Sequence, residues 1–140
     1  MAEGKPADAF ARIQGKALSR LRGRLNKVTI DLGGARPHIG IGDIKFRGGS
    51  AVMIGKYMDT LVEVAMAIKT INQCLLEEGG EELRFEVGGH TSENTQGPGS
   101  AVQLNLSQKR AEAVVDVLEK EGVKESLLSA LGYGGTRPLN

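Results

Sequence analysis

The sequence predicts an α/β fold, a two-layer sandwich in which helices cover a sheet of short strands. Three observations predict it: long segments with apolar residues at helical spacing, short segments in which apolar and polar residues alternate, and glycine-rich breaks between them. The predicted order is a helical arm, two strands, a helix, a strand, a second helix and a last strand. Since such helices bury their apolar faces on a sheet, two layers are expected.

The N-terminal segment, residues 7–26, is predicted to be an amphipathic helix. Residues 1–30 carry seven Lys or Arg against two acidic residues, whereas residues 31–140 carry eleven against fifteen. This distribution favours a division into a basic arm of residues 1–27 and a domain of residues 28–140. The arm is interpreted either as a contact for protein, lipid or nucleic acid or as a solvated basic helix. Its apolar positions are Phe10, Ile13, Ala17, Leu18, Leu21 and Leu25.

Strands and helices alternate in the rest of the chain. An extra strand is predicted at residues 28–32 and a second at residues 39–46, bulged at Gly42 and Asp43. A long helix carries its apolar stripe from Leu61 to Leu75 and ends at Gly79. A strand over residues 83–87 follows. The next helix is expected to begin at Asn105 or Ser107 and to end at Gly122, before a helical turn at 124–127 and a strand at 128–133.

Composition excludes several function classes. The lone Cys74 permits no intrachain disulfide and is expected to be a buried, inert thiol. Two histidines in no ligand spacing and the lack of a nucleophile elbow or phosphate loop predict no metal, no cofactor and no enzyme activity. Three Phe, two Tyr and no Trp leave no stacking surface for a specific nucleic-acid partner.

The sequence also bears on the cellular compartment of the protein. No apolar run reaches the length of a membrane span, and residues 1–26 lack the apolar core of a secretory signal. We therefore expect a cytoplasmic or organellar protein if Met1 is the native start. If the chain is a piece of an exported protein, a periplasmic location is expected.

The loop after residue 87 and the helix that follows it form the candidate site. A strand that ends in two glycines leaves Thr91, Ser92 and Glu93 at the mouth of a loop. The next helix is expected to present Arg110 in its first turn, where a cation opposes the helix dipole. An anionic ligand or a nearby carboxylate explains such an arginine, and a structural ion pair with Glu93 is the alternative.

Two short motifs in this region resemble those of the OmpA-like domain family, found in outer-membrane porin tails, peptidoglycan-associated lipoproteins and flagellar stator proteins. Gly89-His90-Thr91 matches the family's G-H-T-D, and Leu106-Ser107 with Arg110-Ala111 matches its L-S-x-x-R-A. The resemblance extends over residues 44–138. Further matching positions are Ile44, Phe46, Ser50, Ala51, Leu61, Val64, Ala65, Gly122, Val123, Leu128, Gly132 and Pro138.

The resemblance implies a β-α-β-α-β core and non-covalent binding of peptidoglycan through its diaminopimelate residue. In the family, an aspartate receives the ligand's ammonium and an arginine its carboxylate. Arg110 matches the arginine, but Ser92 stands at the aspartate position and Gln103 where the family usually has asparagine. A serine loses the charge-assisted part of the bond, about 1–2 kcal/mol. The implied ligand-binding residues are Thr91, Ser92, Glu93, Gln103 and Arg110.

The sequence ends at Asn140, before the family's closing G-R-x-x-N-R-R-V strand. One hypothesis is that residues 28–32 fill that strand's place, and another is that a partner chain supplies it at a sheet edge. The favoured function is a non-catalytic structural or assembly subunit with a degenerate pocket. The alternative is a cell-wall anchor that binds peptidoglycan. Expected partners are other subunits, through the basic helix and a sheet edge, and the arm is also a candidate for membrane-surface contact.

Overall fold

The computed structural model describes residues 6–33, 37–41, 46, 51, 53, 55–90 and 101–134. It confirms the predicted α/β class and the alternation of helices with strands. The helices are α1 (Pro6–Arg20), α2 (Met58–Glu77) and α3 (Ala101–Lys120). The strands are β1 (Val28–Asp31), β2 (His38–Ile41), β3 (Phe85–His90) and β4 (Leu128–Gly134), and short 3₁₀ turns precede α2 and β4.

The chain forms two compact units. The first unit comprises Met1–Asp43 and Asp59–Leu83 and so contains α1, β1, β2 and α2. Its strands β1 and β2 pair antiparallel, and β1 alternates between buried and exposed residues as predicted. Its core is aliphatic and includes the thiol of Cys74, which is buried as expected. Core side chains of this unit are Ile13, Ala17, Leu21, Val28, Ile30, Leu32, Leu61, Ala65, Ile68 and Ile71.

Helix α1 is shorter than predicted: it ends at Arg20, not at residue 26. Residues 21–24 form turns, and Gly23 has a φ of +80°, which a helix cannot continue through. The backbone N–H groups of Asn26 and Lys27 then bond to the carboxylate of Glu63, at 2.8 and 2.9 Å, instead of to a preceding turn. Gly23 therefore ends the helix that periodicity alone would extend, and Glu63 on α2 binds the backbone that follows.

Ion pairs join α1 to the end of α2. Arg12 and Lys16 bond to Glu78 at 3.0 Å each, and Arg20 pairs with Glu77. The C-terminus of a helix carries a partial negative charge, which disfavours nearby carboxylates. The cations of α1 offset this repulsion. Glu77 and Glu78 accordingly have lowered pKa values, held down chiefly by hydrogen bonds from Arg20 and from Lys16 with Arg12, respectively.

The two long helices end as predicted, at glycines of positive φ. In α2, the N–H of Gly80 bonds to the carbonyl of Leu75 and the N–H of Gly79 to that of Leu76, and Gly79 has a φ of +82°. Helix α3 ends in the same way at Gly122, whose φ is +102°. Both are Schellman caps, which satisfy carbonyls at the helix end.

The second unit comprises Ile44–Met58 and Arg84–Asn140. Strands β3 and β4 pair in parallel, from Phe85 opposite Leu128 onwards, and α3 packs on both strands. Helix α3 begins at Ala101, so the prediction that Asn105 or Ser107 caps its first turn is wrong. The capping interpretation relied on local hydroxyl and amide preferences, whereas the hydroxyl of Ser107 bonds back to the carbonyl of Leu104 inside the helix.

Three predictions remain open. The bulge at Gly42 and Asp43 lies outside the described residues. Strand β1 pairs with β2, and whether residues 28–32 replace the family's closing strand stays a hypothesis. The boundary between an arm of residues 1–27 and a domain of residues 28–140 also stays a prediction.

Candidate functional site

Helix α3 packs closely against β4 at Gly132. A β-carbon at this position would lie 2.3 Å from the backbone nitrogen of Gln108 and 2.5 Å from the hydroxyl oxygen of Ser107. Only a residue without a side chain permits this approach. Ser107 is fully buried, as are Ala111 and Leu118 further along the same helix face. The contact therefore fixes both the distance and the rotation of α3 relative to the strand.

The side chain of Gln108 strengthens the contact between α3 and β4 by forming hydrogen bonds with the backbone of β4. Its amide nitrogen donates to the carbonyl of Ala130 at 3.0 Å, and its amide oxygen accepts from the N–H of Gly132 at 2.8 Å. The side chain thus satisfies a donor and an acceptor of β4 as a neighbouring strand would. On the sheet itself, the hydroxyl of Tyr133 donates to Glu86 at 2.6 Å and links β4 to β3.

Arg110 lies one turn beyond Ser107 on α3. The central carbon of its guanidinium lies 5.0 Å from the centroid of the Phe46 ring, a distance at which a cation and an aromatic face attract. The side chain is only partly exposed, and burial lowers its pKa. Phe46 in turn is tied by a bridge of antiparallel type to Met53. A guanidinium carries the charge and the paired N–H donors that suit an oxyanion.

The position of Arg110 differs from the one expected. Because α3 begins at Ala101, Arg110 lies well past the first turn, and the argument that it opposes the dipole at the helix start is wrong. Burial lowers its pKa, and its guanidinium carbon lies over the Phe46 ring. Sequence reasoning missed this pairing, although Phe46 is one of only three phenylalanines in an aromatic-poor chain.

The other predicted site residues can be placed only in part. Thr91, Ser92 and Glu93 lie outside the described residues, and so does the expected alternative pair between Glu93 and Arg110. Gln103 lies in the first turn of α3, and its side chain is not described. Strand β3 runs to His90 and shows a register shift between Gly89 and His90 where it approaches this loop. The ligand set therefore stays a prediction.

The described residues contain no group of His, Cys, Asp or Glu side chains that could hold a metal ion. Within the same part of the chain, none of the helices combines the length and the apolar character needed to cross a membrane.

Comparison with known proteins identifies the family. The sequence profile of the OmpA family matches residues 45–140, which is more than half of the chain. This chain belongs to the OmpA family. The matched range contains Phe46, Ser107, Arg110 and Gly132, so the contact of α3 with β4 and the contact of Arg110 with Phe46 both belong to the OmpA domain.

Individual relatives agree with this assignment. Outer membrane porin F of Pseudomonas fluorescens is 48% identical over 54 residues, a match that covers 39% of this chain and 16% of the porin. The periplasmic domain of Helicobacter pylori MotB superposes with a TM-score of 0.55 at 19% identity, over 82% of this chain and 76% of that one. The peptidoglycan-associated lipoprotein from Burkholderia pseudomallei gives 0.53 at 22% identity, over 88% and 82%. The match to porin F spans about a sixth of that protein, and the two structures show a shared fold.

Proposed function

We propose that this OmpA-like domain is a non-catalytic structural or assembly subunit whose family ligand pocket is weakened. The observation that carries the proposal is Ser92, which stands where the family motif has an aspartate, although the family arginine is retained as Arg110. The pocket keeps the cation that would bind a carboxylate and lacks the anion that would bind an ammonium. A ligand with both an ammonium and a carboxylate, as diaminopimelate has, is then held firmly at one end only.

The chemistry of the two ends differs in strength. Arg110 can donate two parallel hydrogen bonds to a carboxylate, a geometry that needs no rearrangement of a planar guanidinium. A serine hydroxyl accepts from an ammonium without charge assistance, which costs about 1–2 kcal/mol relative to a carboxylate. This difference corresponds to roughly five- to thirtyfold in affinity. Glu93 restores the missing charge only if its side chain turns toward the ligand.

The basic N-terminal segment is the proposed contact with other subunits, and its cations fall into two groups. Arg12, Lys16 and Arg20 on α1 are engaged with Glu77 and Glu78. The later cations Arg22, Arg24 and Lys27 are exposed and form no ion pair within the described part of the chain. We therefore assign the contact with an acidic partner to the turn after α1. A sheet edge and an anionic membrane surface are the alternative contacts.

The partner contact is tested by charge reversal. Pull-down from extracts of the source cell should recover the same partners with the wild type and with a Lys109→Glu control on the exposed side of α3. The combined variant Arg22→Glu, Arg24→Glu, Lys27→Glu should lose them. If this variant recovers the same partners, the turn after α1 does not form the contact.

The second candidate function is a cell-wall anchor that binds peptidoglycan. It is favoured by Arg110, which keeps the family's carboxylate-binding position on α3 and is supported there by Phe46. One of the matched structures is that of a peptidoglycan-associated lipoprotein, from Burkholderia pseudomallei. An anchor would require Ser92 or Glu93 to receive the ligand's ammonium.

Calorimetric titration with a diaminopimelate-containing muropeptide separates the two functions. The proposed weakened pocket predicts that the wild type binds roughly five- to thirtyfold more weakly than Ser92→Asp. Binding by the wild type that is as tight as that of Ser92→Asp and that Arg110→Ala abolishes would establish the anchor function instead. Lys109→Ala, an exposed cation beside Arg110 on the same helix, is the matched control and should behave as the wild type in either case.

A further inference from the structure

We propose that the Gln108 side chain takes the place of a neighbouring strand at the outer edge of β4, the edge opposite β3, and so prevents a second copy of this chain from pairing there. In the described part of the chain, β4 pairs with β3 alone. This role of Gln108 depends neither on the ligand pocket nor on the function proposed above. It narrows the sheet-edge contact named there as an alternative, because the outer edge of β4 is already occupied.

The Gln108 amide forms the hydrogen bonds that a residue of a parallel strand would form. Its nitrogen donates to the carbonyl of Ala130 at 3.0 Å, and its oxygen accepts from the N–H of Gly132 at 2.8 Å. A parallel neighbour opposite Leu131 would use the same two groups, which point to one edge of the strand. Since the N–H of Gly132 has a single hydrogen and directs it at Gln108, β3 bonds to the other edge.

Glu112 sets the direction of this amide. The Gln108 nitrogen also donates to the carboxylate of Glu112, one turn further along α3, at 3.0 Å. An ionised carboxylate only accepts hydrogen bonds, so it holds the amide with its nitrogen towards Glu112 and Ala130. The close approach of Gly132 to Ser107 and Gln108 fixes the helix backbone at the same place. The head group of Gln108 is therefore held at the strand from both of its ends.

Strand β4 lacks the features by which edge strands usually avoid association. Leu128–Gly134 has the sequence LSALGYG, with no charged residue and no proline. The side chain of Leu131 is 42% exposed. An uncovered edge of this kind would offer its N–H and C=O groups to another strand. Because two identical strands complement each other when they run antiparallel about a twofold axis, the partner that fits this edge is a second copy of β4.

A measurement on the wild type tests the hydrogen bond. In a long-range HNCO NMR spectrum of the full chain, the N–H of Gly132 should correlate with the side-chain carbonyl of Gln108. The N–H of Leu131, which points to the other edge, should correlate with a backbone carbonyl of β3. If the N–H of Gly132 correlates with a backbone carbonyl of β3 instead, Gln108 does not occupy the outer edge and the proposal is overturned.

Analytical ultracentrifugation of the full chain tests the consequence. Gln108→Met keeps the length of the side chain without its donor and acceptor, and it should raise the self-association constant at least about tenfold. Ala130→Pro in that background should restore the wild-type value, because proline removes an N–H from the outer edge and none from the side of β3. Gln73→Met is the matched control, since Gln73 donates to Glu77 on α2 as Gln108 does to Glu112 on α3.

The proline variant separates strand pairing from misfolding. Aggregation of a poorly folded Gln108→Met would not be reversed by a proline placed in a strand, and circular dichroism records the fold of each variant. If Gln108→Met does not fold, Gln108→Glu replaces it, because glutamate removes the donor to Ala130 and repels Glu112 at the same side-chain length. A folded variant that associates no more than the wild type would overturn the proposal. Association that Ala130→Pro leaves unchanged would overturn it as well.

Discussion

Gly132 on β4 lies so close to Ser107 on α3 that a β-carbon added to the glycine would stand 2.5 Å from the serine hydroxyl oxygen. Ser107 is itself completely buried, and its hydroxyl donates to the carbonyl of Leu104. Two small residues therefore let a helix and a strand approach more closely than ordinary side chains permit. Arg110 follows Ser107 on the same helix, so this contact also sets where the pocket arginine lies.

Replacing Gly132 by alanine should destabilise the domain by about 2–3 kcal/mol, because the new methyl group meets backbone atoms of Gln108 that cannot move cheaply. Urea unfolding followed by circular dichroism measures this change. Gly15→Ala is the matched control: a β-carbon there meets nothing within 4 Å, and alanine favours the helix by roughly 0.5–1 kcal/mol. Equal stabilities for the two variants would contradict the close approach of α3 and β4.

Glu63 should be required for the connection between α1 and β1. Its side chain is 7% exposed and one of its oxygens accepts the N–H groups of Asn26 and Lys27. Glu63→Ala leaves two backbone donors without this acceptor and should cost about 2–3 kcal/mol in the free energy of unfolding. Glu63→Gln keeps an oxygen in place and should cost less. Glu81→Ala, at an exposed position, is the control and should leave the free energy of unfolding unchanged. If Glu81→Ala lowers it as much as Glu63→Ala does, the role assigned to Glu63 is wrong.

The ion pairs between α1 and α2 should make stability depend on pH. Glu77 and Glu78 have lowered pKa values in the folded chain, so their contribution is fully present above the ordinary glutamate pKa of about 4.3. It is lost as the pH falls through the lowered values, because protonation then favours the unfolded chain. The double variant Glu77→Gln, Glu78→Gln should therefore be less stable than the wild type at pH 7 and nearly equal to it at pH 2.

Salt supplies the control for this prediction. The pairs are exposed, so 1 M NaCl should screen them and reduce the difference between the double variant and the wild type at pH 7. A double variant in which Glu112 and Glu125 are replaced by Gln changes the net charge equally at two exposed positions of the second unit. If that variant shows the same pH dependence, net charge and not the ion pairs is responsible.

Cys74 should report on opening of the first unit. The thiol is completely buried on α2 and should react with a thiol reagent only when the helix detaches or the chain unfolds. In native buffer its labelling should be slower than that of an unfolded control by several orders of magnitude. A cysteine placed at Leu76, which is 49% exposed, in a Cys74→Ala background should label at once. Rapid labelling of native Cys74 would contradict the packing of α2.

Much of the fold could be read from the chain itself. Alternation of apolar residues predicted β1, and the stripe from Leu61 to Leu75 predicted α2. Gly79 and Gly122 predicted the ends of α2 and α3 because a positive φ is a local property that glycine alone adopts readily. The motifs around Gly89 and Arg110 predicted the family, since they preserve residue types and spacing along the chain.

Other features depended on residues far apart in the sequence. Beyond the end of α1, Glu63 accepts hydrogen bonds from the backbone of Asn26 and Lys27, and no pattern within the arm predicts that carboxylate. Ser107 suggested a helix start by its local preference, yet it lies inside α3 because the strand carrying Gly132 requires a small buried residue there. A capping preference worth about 1 kcal/mol is outweighed by the packing of a whole helix face.

The sequence by itself determined the element types, the helix ends at glycine and the family, because these follow from periodicity, backbone freedom and motif spacing within short segments. Only the tertiary structure decided that the Arg110 guanidinium lies over the Phe46 ring and that α3 packs on β4 at Gly132. Both contacts join distant parts of the chain. Their geometry depends on distances of a few ångströms between distant segments, which local sequence patterns do not reveal.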